Sequence, residues 1–374
     1  MDTGLTAART AGTTHHFPCP ACGADLRFDP ASGDLRCGHC GHAEDLGAPV
    51  NPWKAAATAP LEQDFAAALA TDLPGDAYDE TRLVACTSCG AQVELDDTVQ
   101  GTSCPFCASP VVTATGTHRA IRPQAVLPFA IPEPAAHDAM RRWLGGLWFA
   151  PNGLQRYARK GRRMDGIYVP FWTFDADTAS RYRGQRGTVH HRQQSVVRNG
   201  QRSTQTVAEI RWRPVSGAVR RAFDDVLVLA SRSLPRRFTD ALPPWDLSQL
   251  RPYAPEYLAG MRAEAYTVDL RDGFVLARDA MDRQIERDVR FDIGGDRQRI
   301  AQIDTQVANV TFKHVLLPIW IAAYRYGGRS YRIVINGQTG RVEGERPWSV
   351  WKIALAVLAA LVAAAAFGVV LSNQ

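Results

Sequence analysis

All eight cysteines of the chain lie in its first third, where they form four Cys-x-x-Cys pairs. The pairs are Cys19 with Cys22, Cys37 with Cys40, Cys86 with Cys89, and Cys104 with Cys107. Two thiolates separated by two residues can reach one metal ion from a tight turn, and two such turns supply the four sulfur ligands of a tetrahedral zinc site. The sequence therefore predicts two structural Zn2+ ions. Redox-active dithiols and rubredoxin-like iron are the alternatives for this spacing.

The two groups of four cysteines are copies of one module. Every cysteine of the first group recurs 67 residues later, and fourteen residues separate the two pairs in both copies. That length suits two short strands and a turn, so each copy is predicted to be a zinc ribbon whose metal supplies most of its folding free energy. Four thiolates leave no coordination position open, which argues against hydrolysis at the metal. We expect His15, His16, His39 and His42 to be exposed rather than to act as ligands.

A second set of residues is strongly basic. Residues 141–221 hold 17 Lys and Arg against 4 Asp and Glu, with aromatic residues between them. This mixture suits phosphate attraction and base stacking, and Arg181, Arg183 and Arg186 are the candidates to face nucleic acid or lipid. A basic surface beside anionic lipid is a second interpretation, and a solvated face of an Arg-rich sheet is a third. Residues 1–115 hold 5 basic against 15 acidic residues, so the ribbons favour protein contacts.

Known catalytic motifs are missing from the sequence. Its four lysines are followed by Ala, Gly, His and Ile, so no Gly-x-x-x-x-Gly-Lys-[Ser/Thr] loop can be drawn, and Gly-x-Gly-x-x-Gly and His-Glu-x-x-His are absent as well. An active site would require the fold to bring together Asp175, Asp224, Asp225, His190 and His314. We expect a protein that is not an enzyme.

The end of the chain is strongly apolar. Residues 353–371 carry no charge, and a helix of this length spans about 28 Å, close to the hydrocarbon thickness of a bilayer. Trp348 and Trp351 stand where interfacial aromatic residues are expected, and Arg346 and Lys352 flank the same side. The segment is predicted to be a transmembrane tail anchor, with a buried core helix as the alternative. The basic flank and the lack of a secretory signal predict that the preceding domains are cytoplasmic.

The residues between the ribbons and the tail mix strands with a few helices, which predicts an α+β fold class. Helices are expected at 135–148 and 274–289. Strands are expected at 166–174, 207–212, 226–230, 307–317, 319–326 and 331–335. Similar peptides at 169–172 and 317–320 suggest a duplicated unit.

The predicted domain order has six parts. They are a flexible N-terminus (1–16), zinc ribbon 1 (17–45), a linker with a loop at 49–60 and a short helix (46–82), zinc ribbon 2 (83–113), a mixed strand-rich α+β domain (114–346), and a transmembrane tail anchor (347–374).

The cysteine motifs resemble transcription-factor-IIB-type zinc ribbons. The motifs are Cys19-Pro20-Ala21-Cys22-Gly23 with Cys37-Gly38-His39-Cys40-Gly41, and Cys86-Thr87-Ser88-Cys89-Gly90 with Cys104-Pro105-Phe106-Cys107. With the segments at 168–175, 223–225, 294–296 and 336–344 and the closing apolar helix, they are similar to bacterial zinc-ribbon membrane proteins. Those proteins are often labelled as relatives of the primosomal replication protein N′, a superfamily II helicase. The resemblance implies an inner-membrane location and a flotillin-like membrane protein as a partner, but no reaction.

Two hypotheses for function follow from these patterns. The first is a cytoplasm-facing membrane adaptor in which the ribbons dock other proteins, the α+β domain forms the body and the last helix is the anchor. The second is a membrane-tethered DNA- or RNA-binding protein linked to replication or transcription, without helicase activity of its own. Neither the partner nor the oligomeric state follows from the sequence.

Overall fold

The computed structural model describes residues 17–46, 62–70, 78–94, 102–107, 109–111, 115–151, 154, 164–198, 201–326 and 329–372. The predicted flexible N-terminus, with His15 and His16, and the predicted loop at 49–60 lie outside the described residues. Two cysteine-rich modules, a strand-rich body with helices and a C-terminal apolar helix are present, which confirms the α+β class.

The first ribbon contains a three-stranded antiparallel sheet. Its strands are β1 (Leu26–Asp29), β2 (Asp34–Cys37) and β3 (Ala43–Glu44). Gly33 closes the turn between the first two strands with a φ of +81°, a conformation that L side chains rarely adopt. Leu26, Phe28 and Leu35 are buried while the residues between them are not, as period-2 alternation requires. The two short strands and turn predicted between the cysteine pairs are confirmed here.

A short strand and a helix follow in the segment between the ribbons. They are β4 (Gln63–Asp64) and α1 (Phe65–Ala70). The ring centroid of Phe65 lies 4.5 Å from that of Phe274 and 6.0 Å from that of Phe174. These contacts attach the short helix to the body.

The second ribbon contains a three-stranded and a two-stranded sheet around the second cysteine group. Its strands are β5 (Tyr78–Ala85), β6 (Gln92–Glu94), β7 (Thr102–Ser103), β8 (Pro110–Val111) and β9 (Thr115–Ile121). Strand β5 pairs with both β6 and β9, and strand β7 pairs with β8.

The body is organised around three long antiparallel strands in a larger mixed sheet. Its strands are β10 (Ala125–Val126), β11 (Asp165–Arg198), β12 (Gln201–Leu229), β13 (Arg251–Pro252), β14 (Arg262–Ala263), β15 (Arg297–Tyr326), β16 (Arg329–Asn336) and β17 (Val342–Gly344). The path through the sheet is β12-β11-β15-β10-β13, with β14 added to β11, β16 and β4 added to β15, and β17 added to β16.

The described residues also form two short 3₁₀ helices, Leu247–Gln249 and Pro255–Leu258, and four further α-helices. The α-helices are α2 (Glu133–Gly145), α3 (Arg236–Thr239), α4 (Leu270–Ile293) and α5 (Val350–Ser372). The longest body helix, α4, buries a stripe that repeats every three or four residues, including Ala277, Met281, Ile285 and Val289. The Asp269 carboxylate accepts a hydrogen bond from the Asp272 amide at 2.7 Å and caps its start. The helices expected at 135–148 and 274–289 both exist, with shifted ends.

The strands are longer than the sequence predicted. Two strands were expected on either side of Pro318, but β15 is continuous through it, and Pro318 stands opposite Tyr168 in the register. The similar peptides at 169–172 and 317–320 are consequently antiparallel neighbours, because Val169 pairs with Leu317. The pairing of β11 with β15 ends at Gly187, opposite Arg297. Past that point, residues 188–198 of β11 and 201–211 of β12 continue as a two-stranded hairpin, roughly 35 Å long.

The two ribbons pack on opposite faces of the central sheet. Tyr168 and Trp320 share a buried cluster with ribbon 1 and α2. The side chains of Ile167 and Val169 point to the opposite face from that of Tyr168. They share a second buried cluster with ribbon 2 and α3. The helix α4 covers the ribbon 1 face further along the strands, against Trp172.

Candidate metal centres and C-terminal helix

The first metal centre joins the two knuckles of ribbon 1. The Sγ atoms of Cys19 and Cys40 are 3.6 Å apart and those of Cys22 and Cys37 are 3.5 Å apart. All four sulfur atoms lie within 4.8 Å of one another, and all four cysteines are free of disulfide bonds. The four predicted ligands therefore converge on one point.

The second centre repeats this geometry with the same 67-residue shift. The Sγ atoms of Cys86 and Cys107 are 3.6 Å apart, as are those of Cys89 and Cys104. These four sulfur atoms also lie within 4.8 Å of one another. The pairing is equivalent in the two ribbons, as two copies of one module require.

Both sulfur sets fit a tetrahedral metal ion. Sulfur atoms bound to zinc at about 2.3 Å in a tetrahedron stand roughly 3.8 Å from one another, against a sulfur–sulfur bond of about 2.05 Å in a disulfide. The separations in both centres are close to the first value and far from the second. The glycines after the second cysteine of three knuckles, Gly23, Gly41 and Gly90, have φ of +76°, +77° and +74°, so that the chain bends around the sulfur atoms.

In each centre the polypeptide favours the thiolate form of one cysteine, while hydrogen bonds within the sulfur cluster raise the pKa of its partner, Cys22 or Cys89. Hydrogen bonds from the backbone N–H groups of Cys40 and His39 lower the pKa of Cys37 to about 6. In ribbon 2, the hydrogen bond with the Cys89 thiol, followed by backbone N–H groups, lowers the pKa of Cys104 to about 5. Because the thiolate is the form that binds metal, each centre has one ligand prepared at neutral pH.

The two centres differ in how far the body covers them. In ribbon 1, Cys22 and Cys40 are exposed, as are Ala21 and His39 between the paired cysteines. In ribbon 2, Thr87 and Ser88 of the first knuckle are exposed. Phe106 of the second knuckle is fully buried in the body core. The first centre therefore presents its metal-binding turns to solvent, and the second is built into the fold.

Ribbon 1 is nevertheless fixed to the body. The amide of Phe28 donates to the carbonyl oxygen of Ala259 at 2.9 Å, and the rings of Phe28 and Tyr257 meet edge to face at 5.6 Å. His42 Nε2 lies 3.7 Å from Glu44 Oε1, and His39 is exposed. Neither histidine belongs to the sulfur cluster, as the sequence predicted.

A buried glutamate joins ribbon 2 to the body. Glu264 forms a backbone bridge with Val93, and its carboxylate accepts a hydrogen bond of 2.6 Å from Ser231 Oγ. Burial raises the pKa of Glu264 to about 8, so the side chain is mostly protonated at neutral pH. Its second oxygen has no hydrogen-bond partner among the described residues. No sequence motif marks this residue.

The acidic residues considered for catalysis meet around a lysine. Asp175, Asp224 and Asp225 have carboxylate oxygens within 4.8 Å of one another. Lys313 Nζ lies 2.9 Å from Asp225 Oδ1 and 3.1 Å from Glu62 Oε1. Burial alone would lower the pKa of Lys313, but the hydrogen bond and charge of Asp225 outweigh it and raise that pKa. The ammonium group therefore lies beside two of the three aspartates, Asp225 and, at 3.9 Å, Asp175.

The two histidines considered with these aspartates lie elsewhere. His314 is buried against the ring of Trp172, 4.9 Å between centroids, and its Nδ1 lies 2.8 Å from the Ile121 carbonyl oxygen. It points away from Lys313, because neighbouring residues of a strand face opposite sides. Burial lowers the pKa of His314 to about 4. His190 lies in the hairpin at 188–198, so the five residues do not form one site.

The three arginines considered for nucleic acid are divided between two faces of the sheet. Arg181 and Arg183 are exposed on the face opposite α4. Arg186 donates instead to the carbonyl oxygen of Ile293 at the end of α4. Trp172 and Tyr182, two of the aromatic residues in the basic region, are buried and are not available for base stacking. This arrangement is typical of a solvated Arg-rich sheet, while binding to nucleic acid or lipid stays a prediction.

The C-terminal helix has the length and composition of a membrane span. Residues Val350–Gly368 have a mean hydropathy of 2.3, and none of this window is buried in the described structure. A core helix of a soluble domain would be buried, and this helix is not. The side chains of Leu355, Leu358 and Leu361 are all exposed.

The fold and the two sites together define a class: an α+β protein with two four-cysteine clusters that could each hold a metal ion, and an apolar C-terminal helix. The chain is 26% identical over 339 residues to the uncharacterized protein YdjG of Bacillus subtilis (strain 168), a match that covers 90% of this chain and 92% of that protein. So long a match extends well beyond the ribbons into the body. No protein-family model matches the chain, and no solved structure matches it. The resemblance to transcription-factor-IIB-type ribbons and to the primosomal protein stays a prediction.

Proposed function

We propose that this protein is a membrane-anchored adaptor whose first zinc ribbon docks another protein at the cytoplasmic surface of a bacterial inner membrane. The observation that carries the proposal is the exposure of the ribbon 1 knuckles on a module that is otherwise locked to the body. Cys22 and Cys40 are exposed, whereas Phe17, Leu26 and Phe28 are buried in the body core. A rigid exposed knuckle pair has little conformational entropy to lose when a partner binds.

Zinc is the metal that we propose for both centres. Four thiolates in a closed tetrahedron suit Zn2+, whose role is to hold the knuckles in place. With no open coordination position for water or substrate, the metal would not act in catalysis, and we propose that the protein is not an enzyme. The acidic cluster around Lys313 agrees with this, because its ammonium group already neutralises part of the carboxylate charge.

The location follows from the last helix. We propose that α5 spans the membrane once, with Arg346 and Lys352 on the cytoplasmic side of the span, where basic residues are favoured. The reducing cytoplasm would keep the eight thiols available for metal. The flotillin-like partner that the resemblance implies is itself a membrane protein and would meet the ribbon at this surface.

Affinity purification of the detergent-solubilised full-length protein tests the adaptor role. Ala21→Arg places a long basic side chain on the exposed ribbon 1 knuckle, and Ser88→Arg places the same side chain at the equivalent exposed position of ribbon 2, 67 residues later. We expect the wild type and Ser88→Arg to retain a co-purifying protein that Ala21→Arg loses, with zinc content unchanged in all three. Equal recovery with both variants would remove ribbon 1 as the docking surface.

The same eluate distinguishes the second hypothesis. Nucleic acid that co-purifies in a salt-dependent manner, and that is lost when Arg181 and Arg183 become Glu, would favour a tethered nucleic-acid-binding protein. We expect no such nucleic acid, because the three exposed arginines do not share one face and Arg186 is bound to the carbonyl oxygen of Ile293.

A further inference from the structure

The loop that follows α2 is tied to the first turn of the C-terminal helix. Lys352 Nζ donates hydrogen bonds to the carbonyl oxygens of Trp148 at 3.1 Å and Ala150 at 2.9 Å. The backbone N–H of Ser349 donates to the carbonyl oxygen of Phe149 at 2.8 Å. These three hydrogen bonds hold the loop level with the start of α5.

Exposed aromatic side chains surround this junction. Trp148 is 80% exposed, Trp348 55% and Trp351 87%. The Phe149 ring lies 6.4 Å from that of Trp348, and the Arg346 guanidinium stands 4.4 Å from the centre of the Trp348 ring. Clustered exposed apolar surface marks a contact site, and tryptophan beside basic side chains is the composition found where proteins meet the bilayer interface.

A small cleft lies between the loop and the helix. It measures about 280 Å³, and the residues that line it include Leu144, Leu147, Pro151, Leu154 and Lys352. An apolar wall beside an ammonium group suits the upper part of a phospholipid, whose acyl chain and phosphate meet at this depth.

We propose that the loop at 146–151 is a second membrane-contacting element, which places Trp148 in the interfacial region of the bilayer beside the first turn of α5. The inference rests on the proposed function, because it requires α5 to span the bilayer. Phospholipid is the occupant of the exposed aromatic patch, since the patch is continuous with the spanning helix and the hydrogen bonds from Lys352 and Ser349 fix its depth. Two attachment points fix the orientation of the body, which a single helix would leave free to swing.

Photocrosslinking of the full-length protein in phosphatidylcholine–phosphatidylglycerol nanodiscs tests this inference. The photoreactive residue p-benzoylphenylalanine replaces Trp148, Leu361 or Phe291, one at a time, and phospholipid adducts are measured by mass spectrometry after irradiation. Leu361 lies within the proposed span, while Phe291 is a matched control on α4 that is 90% exposed. We expect lipid adducts at positions 148 and 361 and none at 291.

The outcomes separate the inference from the proposal beneath it. Adducts at 361 without adducts at 148, adducts at 291 as abundant as those at 148, or a crosslink from 148 to a second protein chain would each overturn the inference and leave the span intact. The absence of lipid adducts at 361 would overturn the membrane span, and the inference with it.

A second variant tests whether the hydrogen bonds set the depth of the loop. Lys352→Met removes both hydrogen bonds to the loop carbonyls while keeping the apolar stem of the side chain. We expect the lipid adduct yield at position 148 to fall roughly fivefold and the yield at 361 to stay unchanged. An unchanged yield at 148 would overturn the positioning role of Lys352.

Discussion

Burial sets the protonation of three side chains in the body. Burial raises the pKa of Glu264 to about 8 and, with a hydrogen bond to Glu62, that of Asp175 to about 6. Burial lowers the pKa of His314 to about 4. In each case the low-dielectric surroundings disfavour the charged form. At neutral pH the protein therefore contains a mostly protonated glutamate and a neutral histidine.

The buried glutamate predicts a stability that falls as pH rises. A carboxyl group with a pKa raised in the folded state stabilises the fold fully below its unfolded pKa, about 4.5, and this contribution is lost as pH rises through about 8. Glu264→Gln keeps an acceptor for Ser231 and cannot ionise. We expect thermal unfolding of the wild type, but not of the variant, to shift to lower temperature between pH 6.5 and 9. Parallel profiles would contradict this assignment.

The metal ligands predict separate losses at the two centres. Cys37→Ser and Cys104→Ser should each lower the zinc content from about two ions to about one per chain. The second substitution should lower the melting temperature more, because Phe106 of its knuckle is fully buried in the body core. Elemental analysis and thermal scans of the reduced protein provide the measurements. Loss of both ions from either variant would show that the two centres are not independent.

At the scale of the elements, irregularities in the long strands form the cluster around Lys313. The register of β11 shifts against β12 between Phe174 and Ala176, and against β15 between Asp175 and Asp177. Asp225 takes a φ of +51°, and its amide donates to Asp175 Oδ1 at 2.6 Å. Such bulges re-aim side chains, and here they direct carboxylates toward one lysine. The cluster connects Glu62, the residue before β4, with β11, β12 and β15.

Removal of the lysine should therefore destabilise the junction of these strands. Lys313→Met leaves the surrounding carboxylates without their cation, and we expect a loss of about 2–3 kcal/mol, less than for a fully buried pair because the carboxylates are partly exposed. The loss should shrink as pH falls through about 6, where Asp175 takes up a proton. Asp224→Asn, at the exposed edge of the cluster, is the control and should cost about 0.5 kcal/mol or less. Equal effects in denaturant unfolding would contradict a central role for Lys313.

At the scale of the whole molecule, both ribbons share their buried apolar residues with the body. Ribbon 1 and ribbon 2 cover opposite faces of the same sheet, and their apolar residues belong to the buried clusters of the body. Small metal modules rarely bury enough apolar surface alone, and this arrangement gives both ribbons a larger core. Metal loss should consequently weaken the body as well as the ribbons.

The last helix predicts where the molecule resides. The full-length protein should sediment with membranes and resist alkaline carbonate extraction, because about 20 apolar residues in helical form span the hydrocarbon core. A variant that ends at Arg346 should move to the soluble fraction with its zinc content unchanged. Full-length protein that is released by carbonate would contradict the membrane span.

Part of the candidate site could be predicted from the sequence. The eight cysteines, their two groups and the short hairpin of ribbon 1 follow from spacing, since a knuckle depends on residues two apart. The helices near 135–148 and 274–289 follow from periodicity, although the first begins earlier, directly after Pro132, and the second begins earlier, after the Asp269 cap. The length of β15 was not predicted, because a proline usually interrupts a strand and only pairing with β11 shows that Pro318 is tolerated.

The sequence by itself determined the metal-binding turns and the apolar C-terminal helix, because both depend on neighbouring residues and on the medium around them. Only the tertiary structure decided which ribbon exposes its knuckles, that Arg186 caps a helix, and that Trp148 stands beside Lys352. It also brought Glu62 to Lys313, 251 positions further along the chain. Contacts of this kind arise from the packing of distant strands and leave no local pattern in the residues that make them.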